Sequence, residues 1–146
     1  MTKAIYFDMD GTIADLYAVE NWLPKLRAED ASPYMEAKPL VNLSILARYL
    51  NKLSREGYAI GIVSWGSKNC SEAYLAEIVE AKMAWLNRHL KSVHFDEIAI
   101  VPYGTPKSTA VSLSGILFDD EQRNRDEWHG IAHDVDDIIG VLKSLL

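Results

Sequence analysis

Ala4-Ile5-Tyr6-Phe7-Asp8-Met9-Asp10-Gly11-Thr12 is an apolar run that stops at two carboxylates separated by one residue, followed by a glycine. In an extended chain Ile5 and Phe7 face one side and Tyr6 the other, so the run is apolar on both faces, as a central parallel strand is. Asp8 then stands at the carboxyl end of that strand, the edge at which open α/β sheets hold their ligands. Gly11 permits a sharp turn where a Cβ would obstruct the backbone or an approaching ligand. The string Asp-x-Asp-Gly also occurs in calcium loops of the EF-hand kind. Such a loop needs further ligands at alternate positions and a glutamate at its twelfth, and Thr12, Ile13 and Ala14 do not continue that pattern.

Working outward, the 146 residues suit a single domain, 1–146, that buries a core without disulfides or a structural metal. A composition 49% hydrophobic and 25% charged argues against disorder. The net charge of −6 argues against nonspecific binding to a nucleic-acid backbone, although an acidic site holding a divalent cation still accepts a small phosphate ester. Cys70 is the only cysteine, which excludes an internal disulfide and a cysteine-based zinc site and fits a reducing cytoplasm. No long apolar stretch opens the chain, so neither a signal peptide nor a membrane span is expected.

Short apolar strands alternate with helices along the rest of the chain. Asp15 to Ala28 reads as a helix interrupted near Pro24, and Glu29 to Lys38 as a loop or irregular crossing. A helix is predicted from Pro39 to Glu56, with Leu43, Leu46, Leu50 and Leu53 on one face and Gly57 ending it. Tyr58 to Val63 follows as a second buried strand that delivers Ser64 to the edge holding Asp8. Ser71 to Leu90 has helical spacing throughout, with Lys82 contributing its alkyl stem to the apolar face and Met83 and Trp85 widening it. Ile98 to Val101, Ser114 to Phe118 and Gly130 to His133 are three further strands. Asp134 then caps a last helix, with Asp137 at its third position. The alternation predicts a three-layer α/β/α sandwich on a parallel sheet with right-handed crossovers.

Asp8 and Asp10, Ser64, Lys107, and Asp119 with Asp120 thus converge on one edge. Carboxylates so close repel one another, and a bound cation makes the arrangement reasonable at neutral pH; an all-oxygen donor set favours Mg2+. With the metal and Lys107 holding the nonbridging oxygens, a carboxylate can attack phosphorus in line and give an aspartyl phosphate. Asp8 suits the nucleophile. Asp10 suits the general acid and base that protonates the leaving oxygen and later activates water, while Ser64 donates a hydrogen bond to the phosphoryl group.

Asp8-Met9-Asp10-Gly11-Thr12, Ser64 after a strand, Lys107 and Phe118-Asp119-Asp120 resemble, in order, the four motifs of haloacid dehalogenase superfamily phosphatases. The resemblance spans nearly the whole chain. It implies a Rossmannoid five-stranded parallel sheet of order 5-4-1-2-3, with a short cap-like insertion at about 13–38. It also implies that Asp8 and the main-chain carbonyl of Asp10 contact magnesium, together with one of Asp119 and Asp120; Asp120 is preferred as the direct ligand, with Asp119 supporting a bound water. Within the superfamily, Ala81 to Leu90 with Ile98-Ala99-Ile100 and Ile116 to Asp120 looks like the 5'-nucleotidases of the deoxyribonucleotidase group, which remove phosphate from nucleoside monophosphates.

The expected function is therefore that of a magnesium-dependent phosphomonoesterase acting on a small phosphorylated substrate, with nucleoside monophosphates as one class and small sugar phosphates as another. A noncatalytic phosphate- or metabolite-binding regulatory domain is the alternative from a different class. A polynucleotide 3'-phosphatase is a third, and the negative charge and lack of a basic patch count against it. Tyr17, Trp22, Tyr34 and Trp65 offer stacking surfaces for a base, although aromatic residues at such positions commonly just pack. His129 and His133 have the spacing of a zinc pair without further ligands beside them. Arg123, Asn124 and Arg125 read as a solvated face, and Cys70 as space-filling.

Overall fold

The computed structural model describes residues 3–146. Five strands, β1 (Ala4–Phe7), β4 (Ala59–Trp65), β5 (Glu97–Val101), β6 (Ile116–Phe118) and β7 (Ile131–His133), form one parallel sheet in the order β5-β4-β1-β6-β7. Numbered along the chain among themselves they run 3-2-1-4-5, which is the expected Rossmannoid order seen from the opposite edge. A separate antiparallel ribbon pairs β2 (Ala14–Asp15) with β3 (Lys38–Pro39).

The central strand is central because its sequence is apolar on both faces. Ile5 and Phe7 join Ile60, Ile62, Leu46, Leu50, Leu53, Phe118 and Leu142 in the larger core, and Tyr6 joins Val63, Leu117 and Trp128 on the other face. The helix α3 (Leu43–Arg55) covers the first face with Leu46, Leu50 and Leu53, four and three residues apart. Asn42 caps it by accepting the Ile45 amide at 3.1 Å, and Gly57, at φ +99°, ends it in a conformation that L side chains rarely adopt. The helix α4 (Glu72–His89) begins at Ser71, whose hydroxyl accepts the Tyr74 amide, and it buries Tyr74, Ile78, Trp85 and Leu86. Among the described residues no helix is long and apolar enough to cross a membrane.

Register sets the position of the acids. Phe7 is paired with Ile62 on one side and Phe118 on the other, so Asp8 and Asp119, each following its strand, stand side by side. The Asp8 amide donates to the Phe118 carbonyl at 3.0 Å, and the Asp119 amide to the His133 carbonyl at 3.1 Å.

The segment after β1 differs in detail from its sequence reading. The helix expected over Asp15 to Ala28 divides at Val19 to Asn21, where Asn21 takes φ 58°, into a 3-10 turn (Leu16–Ala18) and α1 (Trp22–Arg27). Pro24 does not interrupt α1, because it falls in the first turn, where its missing N–H has no partner to lose. The supposed loop contains α2 (Ser32–Glu36): Asp30 accepts the Ser32 amide and Pro33 sets the first-turn φ. Pro39 belongs to β3 rather than to the start of α3, which begins four residues later at Leu43, just after its Asn42 cap. The Ser64 position also shifts, since β4 continues through it to Trp65. Asp134 caps a 3-10 turn (Val135–Asp137) that leads into α7 (Ile138–Leu145), with α5 (Lys107–Ala110) and α6 (Gln122–Glu127) lying earlier in the chain. Trp85 is buried on α4, whereas Met83 is exposed and does not widen its apolar face.

Candidate active site

Asp8, Asp119 and Asp120 offer carboxylate oxygens that all lie within 4.8 Å of one another, and Lys107 is built into the group. Its ammonium stands 3.0 Å from Asp8 Oδ1 and 2.5 Å from Asp119 Oδ2, with only 4% of the residue exposed. Lys107 occupies the first position of the short helix α5, where the chain turns after β5. Burial opposes its charge, but the two carboxylates outweigh burial and raise its pKa. For Asp8 burial likewise opposes ionisation, and the charges of Lys107 and Lys82 overcome it, holding the carboxyl below the usual range.

The other acids are pushed the opposite way. Burial and the charge of Asp8 raise Asp119 to about 6, against the pull of Lys107. Burial and the charge of Asp8 raise Asp120 to about 8. Asp10 is also raised, chiefly by burial and against the pull of Lys82. This is the electrostatic condition of an oxygen-lined cation site: acids that resist ionisation together until a cation offsets their repulsion. The donor set fits magnesium, a hard cation with a preference for oxygen.

Asp119 and Asp120 differ in how much of their bonding capacity is free. The Asp119 side chain is 0% exposed, and it accepts from Lys107, from Asn124 Nδ2 at 3.2 Å and from the Glu121 amide at 3.0 Å. Asp120 accepts from the hydroxyl of Thr12 at 3.3 Å, and that hydroxyl also lies 3.2 Å from Asp8 Oδ2. Gly11, at φ +77°, passes so close that a Cβ there would stand 2.4 Å from Asp120 Oδ2. The turn after β1 therefore needs glycine both for its backbone angle and to leave room for an acid.

Ser64 lies elsewhere than at the cavity surface. It is 1% exposed, and its Oγ accepts from Lys82 Nζ at 2.7 Å. An ammonium has only protons to give, so the Ser64 O–H proton remains available for donation. Lys82 also contacts Asp10 Oδ2 at 2.9 Å and the Trp65 carbonyl at 2.8 Å. The sequence reading gave Lys82 only an alkyl stem on a helix face, and the structure instead makes it a buried ion-pair partner of Asp10. A lysine at a helical core position, with no neighbouring residue to carry its charge to water, was the available signal. Asn124 and Arg125 were likewise read as a solvated face. The structure places Asn124 on the Asp119 carboxylate and Arg125 Nη1 on the Asp119 carbonyl at 2.9 Å.

Asp8, Asp10 and Lys107 open into a cavity of about 640 Å³, walled by Tyr17, Trp22, Leu23 and Leu26 of the 13–38 stretch and by Trp65 to Cys70 and Tyr103 of the main body. Tyr17 and Trp22 meet edge to face at 5.0 Å. Trp65 packs on Tyr103 with centroids 4.8 Å apart and donates its indole N–H to the Thr105 carbonyl, so it is fixed in the wall. Tyr34 is buried, with its hydroxyl 2.8 Å from Ser67 Oγ. The 13–38 stretch is tied to the main body at this rim, where Glu29 accepts both the amide and the hydroxyl of Ser71.

No protein-family model matches the sequence, and no curated protein matches it. The fold does match solved structures. One is the crystal structure of D,D-heptose 1,7-bisphosphate phosphatase from Burkholderia thailandensis, with a TM-score of 0.56 and 14% sequence identity, covering 98% of this chain and 97% of that one. At that identity the likeness establishes the fold, and the site must be argued from its own residues.

Proposed function

We propose that the protein is a magnesium-dependent phosphomonoesterase of the haloacid dehalogenase type that works through an aspartyl phosphate. The observation that carries this reading is the different partnering of two neighbouring acids: Asp8 stands 3.0 Å from Lys107 Nζ within the acid cluster, whereas Asp10 is held at the cavity surface by Lys82, and against burial the lysines lower the Asp8 pKa while burial raises that of Asp10. Pairs of carboxyl groups pushed apart in this way divide into nucleophile and proton donor. The fold match to a phosphatase agrees with it.

Magnesium held by Asp8, Asp120 and the Asp10 carbonyl would offset the charge of the nonbridging phosphoryl oxygens. An Asp8 carboxylate oxygen attacks phosphorus as the bond to the leaving oxygen breaks, and Asp10 gives its proton to that oxygen. Asp10, now a carboxylate, takes a proton from the water that attacks the aspartyl phosphate, and inorganic phosphate leaves with Asp8 restored. Lys107 keeps Asp8 ionised and pairs with phosphoryl oxygens, whereas Ser64, buried behind the cavity surface, holds the ammonium of Lys82 rather than the phosphoryl group. Asp119, which accepts from Lys107, Asn124 and the Glu121 amide, orients Lys107 and would support a bound metal indirectly rather than as its ligand.

Residues 13–38 act as a small cap. Tyr17 and Trp22 give the cavity an aromatic side that suits a ring-bearing phosphate, a nucleoside 5'-monophosphate being the preferred class. Phosphate release from a panel of nucleoside monophosphates, sugar phosphates and 4-nitrophenyl phosphate, with magnesium and with chelator, tests the reading. Release from ring-bearing monoesters that stops on chelation, and that Asp8→Asn abolishes without loss of folding, is expected. Inactivity across the whole panel would favour a binding domain, and full activity of Asp8→Asn would remove the covalent route.

A further inference from the structure

Lys82 is a cation sealed inside the protein at the back of the candidate site. It is 1% exposed, and its three ammonium protons have three acceptors: Asp10 Oδ2 at 2.9 Å, Ser64 Oγ at 2.7 Å and the Trp65 carbonyl at 2.8 Å. The Tyr34 ring centroid lies 5.0 Å from the same nitrogen. Lysines on helices ordinarily bury their stem and keep the ammonium in water. Here α4 sends the ammonium to the carboxyl end of the sheet, where one contact is to a main-chain carbonyl of β4, a rigid anchor.

Asp10 differs from its partner in standing at the cavity surface, with 17% of its side chain exposed. Its Oδ2 is occupied by a group that can only donate. The oxygen left to exchange a proton with a substrate is Oδ1. We infer that Lys82 is a positioning residue for the reaction: it locks Asp10 to β4 through Oδ2, so that Oδ1 meets the leaving oxygen in one half-reaction and water in the other. The inference rests on the phosphatase reading above. A purely structural Lys82, which would only fasten α4 to the sheet, makes a different prediction.

The experiment separates the two half-reactions in Lys82→Met, which keeps the length of the stem and removes the ammonium. With 4-nitrophenyl phosphate the leaving group departs as a stabilised phenolate and needs no proton, so the first turnover does not depend on Asp10. At a pH well above the ordinary carboxylate range, where Lys107 alone keeps Asp8 ionised, a stoichiometric burst of nitrophenolate at a rate within about 5-fold of the wild type is expected, followed by a steady state about 100-fold slower, because attack by water still needs the base. With an alkyl phosphate monoester the single-turnover rate itself should fall about 100-fold, with KM changed by less than about 2-fold.

Burst and steady state falling together, or neither falling, would overturn the inference and leave the phosphatase reading intact. No phosphate release by the wild-type protein from either ester would overturn both. Should Lys82→Met unfold because Asp10 is left buried without its partner, the double variant Asp10→Asn with Lys82→Met is compared with Asp10→Asn alone. Equal rates support the inference. A further loss beyond about 10-fold would assign Lys82 a role apart from Asp10 and overturn it.

Discussion

Lys107 bridges Asp8 and Asp119, its ammonium 3.0 Å from the first carboxylate and 2.5 Å from the second. One buried cation therefore serves the acid that follows β1 and the acid that follows β6. Removing it should leave two buried carboxyl groups without a counter-ion. Lys107→Met is expected to cost about 3–5 kcal/mol of stability in the absence of metal and to lower kcat by about 100-fold or more. Denaturant unfolding and steady-state phosphate release measure the two effects, and retention of both properties would contradict the bridge.

Gly11 and Asp120 are matched in space, with a Cβ on the glycine falling 2.4 Å from Asp120 Oδ2 and 3.0 Å from Tyr17 Cε2. Gly11→Ala should cost about 1–2 kcal/mol for the left-handed backbone alone. Because it also displaces Asp120, the magnesium concentration giving half-maximal activity should rise by about 10-fold. A magnesium titration of activity, set beside thermal unfolding, separates the two effects.

The pH dependence of stability follows from the raised acids. Asp119 and Asp120 titrate at 3.8 when unperturbed, and in the folded chain near 6 and 8. Between about 4 and about 8 the folded chain therefore holds more protons than the unfolded one, and stability falls as pH rises through that interval. Asp8, shifted downward, acts with the opposite sign and withdraws stability only as pH falls below the ordinary carboxylate range. Thermal unfolding of the metal-free protein should thus show a decline in Tm from pH 5 to pH 8. Magnesium should reduce that decline by favouring the ionised acids, and a Tm that rises over the same range without metal would contradict the arrangement.

Trp22 stands in the cavity wall, edge to face with Tyr17. On the proposed nucleotidase reading, Trp22→Ala should raise KM for a nucleoside monophosphate by several-fold to about 10-fold and leave kcat nearly unchanged, because the ring would contact a part of the substrate that does not react. A phosphate monoester without a ring should respond by less than about 2-fold. Equal changes for both substrates would place Trp22 in packing alone.

Much of the frame is legible in the sequence. The apolar run before Asp8, the shorter run before Asp119 and the alternation of strands with helices carry their own periodicity and point to a parallel sheet, whereas its strand order is what the resemblance to haloacid dehalogenase phosphatases implies. The short segments were read less well. Whether Pro24 breaks a helix depends on where the helix starts, and that start was moved by a left-handed Asn21 that no propensity announces. A five-residue helix at Ser32–Glu36 has too few turns to show a period.

The sequence by itself determined which acids the protein presents and in what order, because strand ends and glycine turns are local properties of the chain. Only the tertiary structure decided how those acids are paired. The assignment of Lys107 to both Asp8 and Asp119, of Asn124 to Asp119, and of Lys82 to Asp10, Ser64 and Trp65 depends on side chains brought together from distant positions. A helical period shows that Lys82 faces the core. Its ammonium is tolerated there because three acceptors take its protons, one of them Asp10 Oδ2, seventy-two residues away along the chain and 2.9 Å away in space.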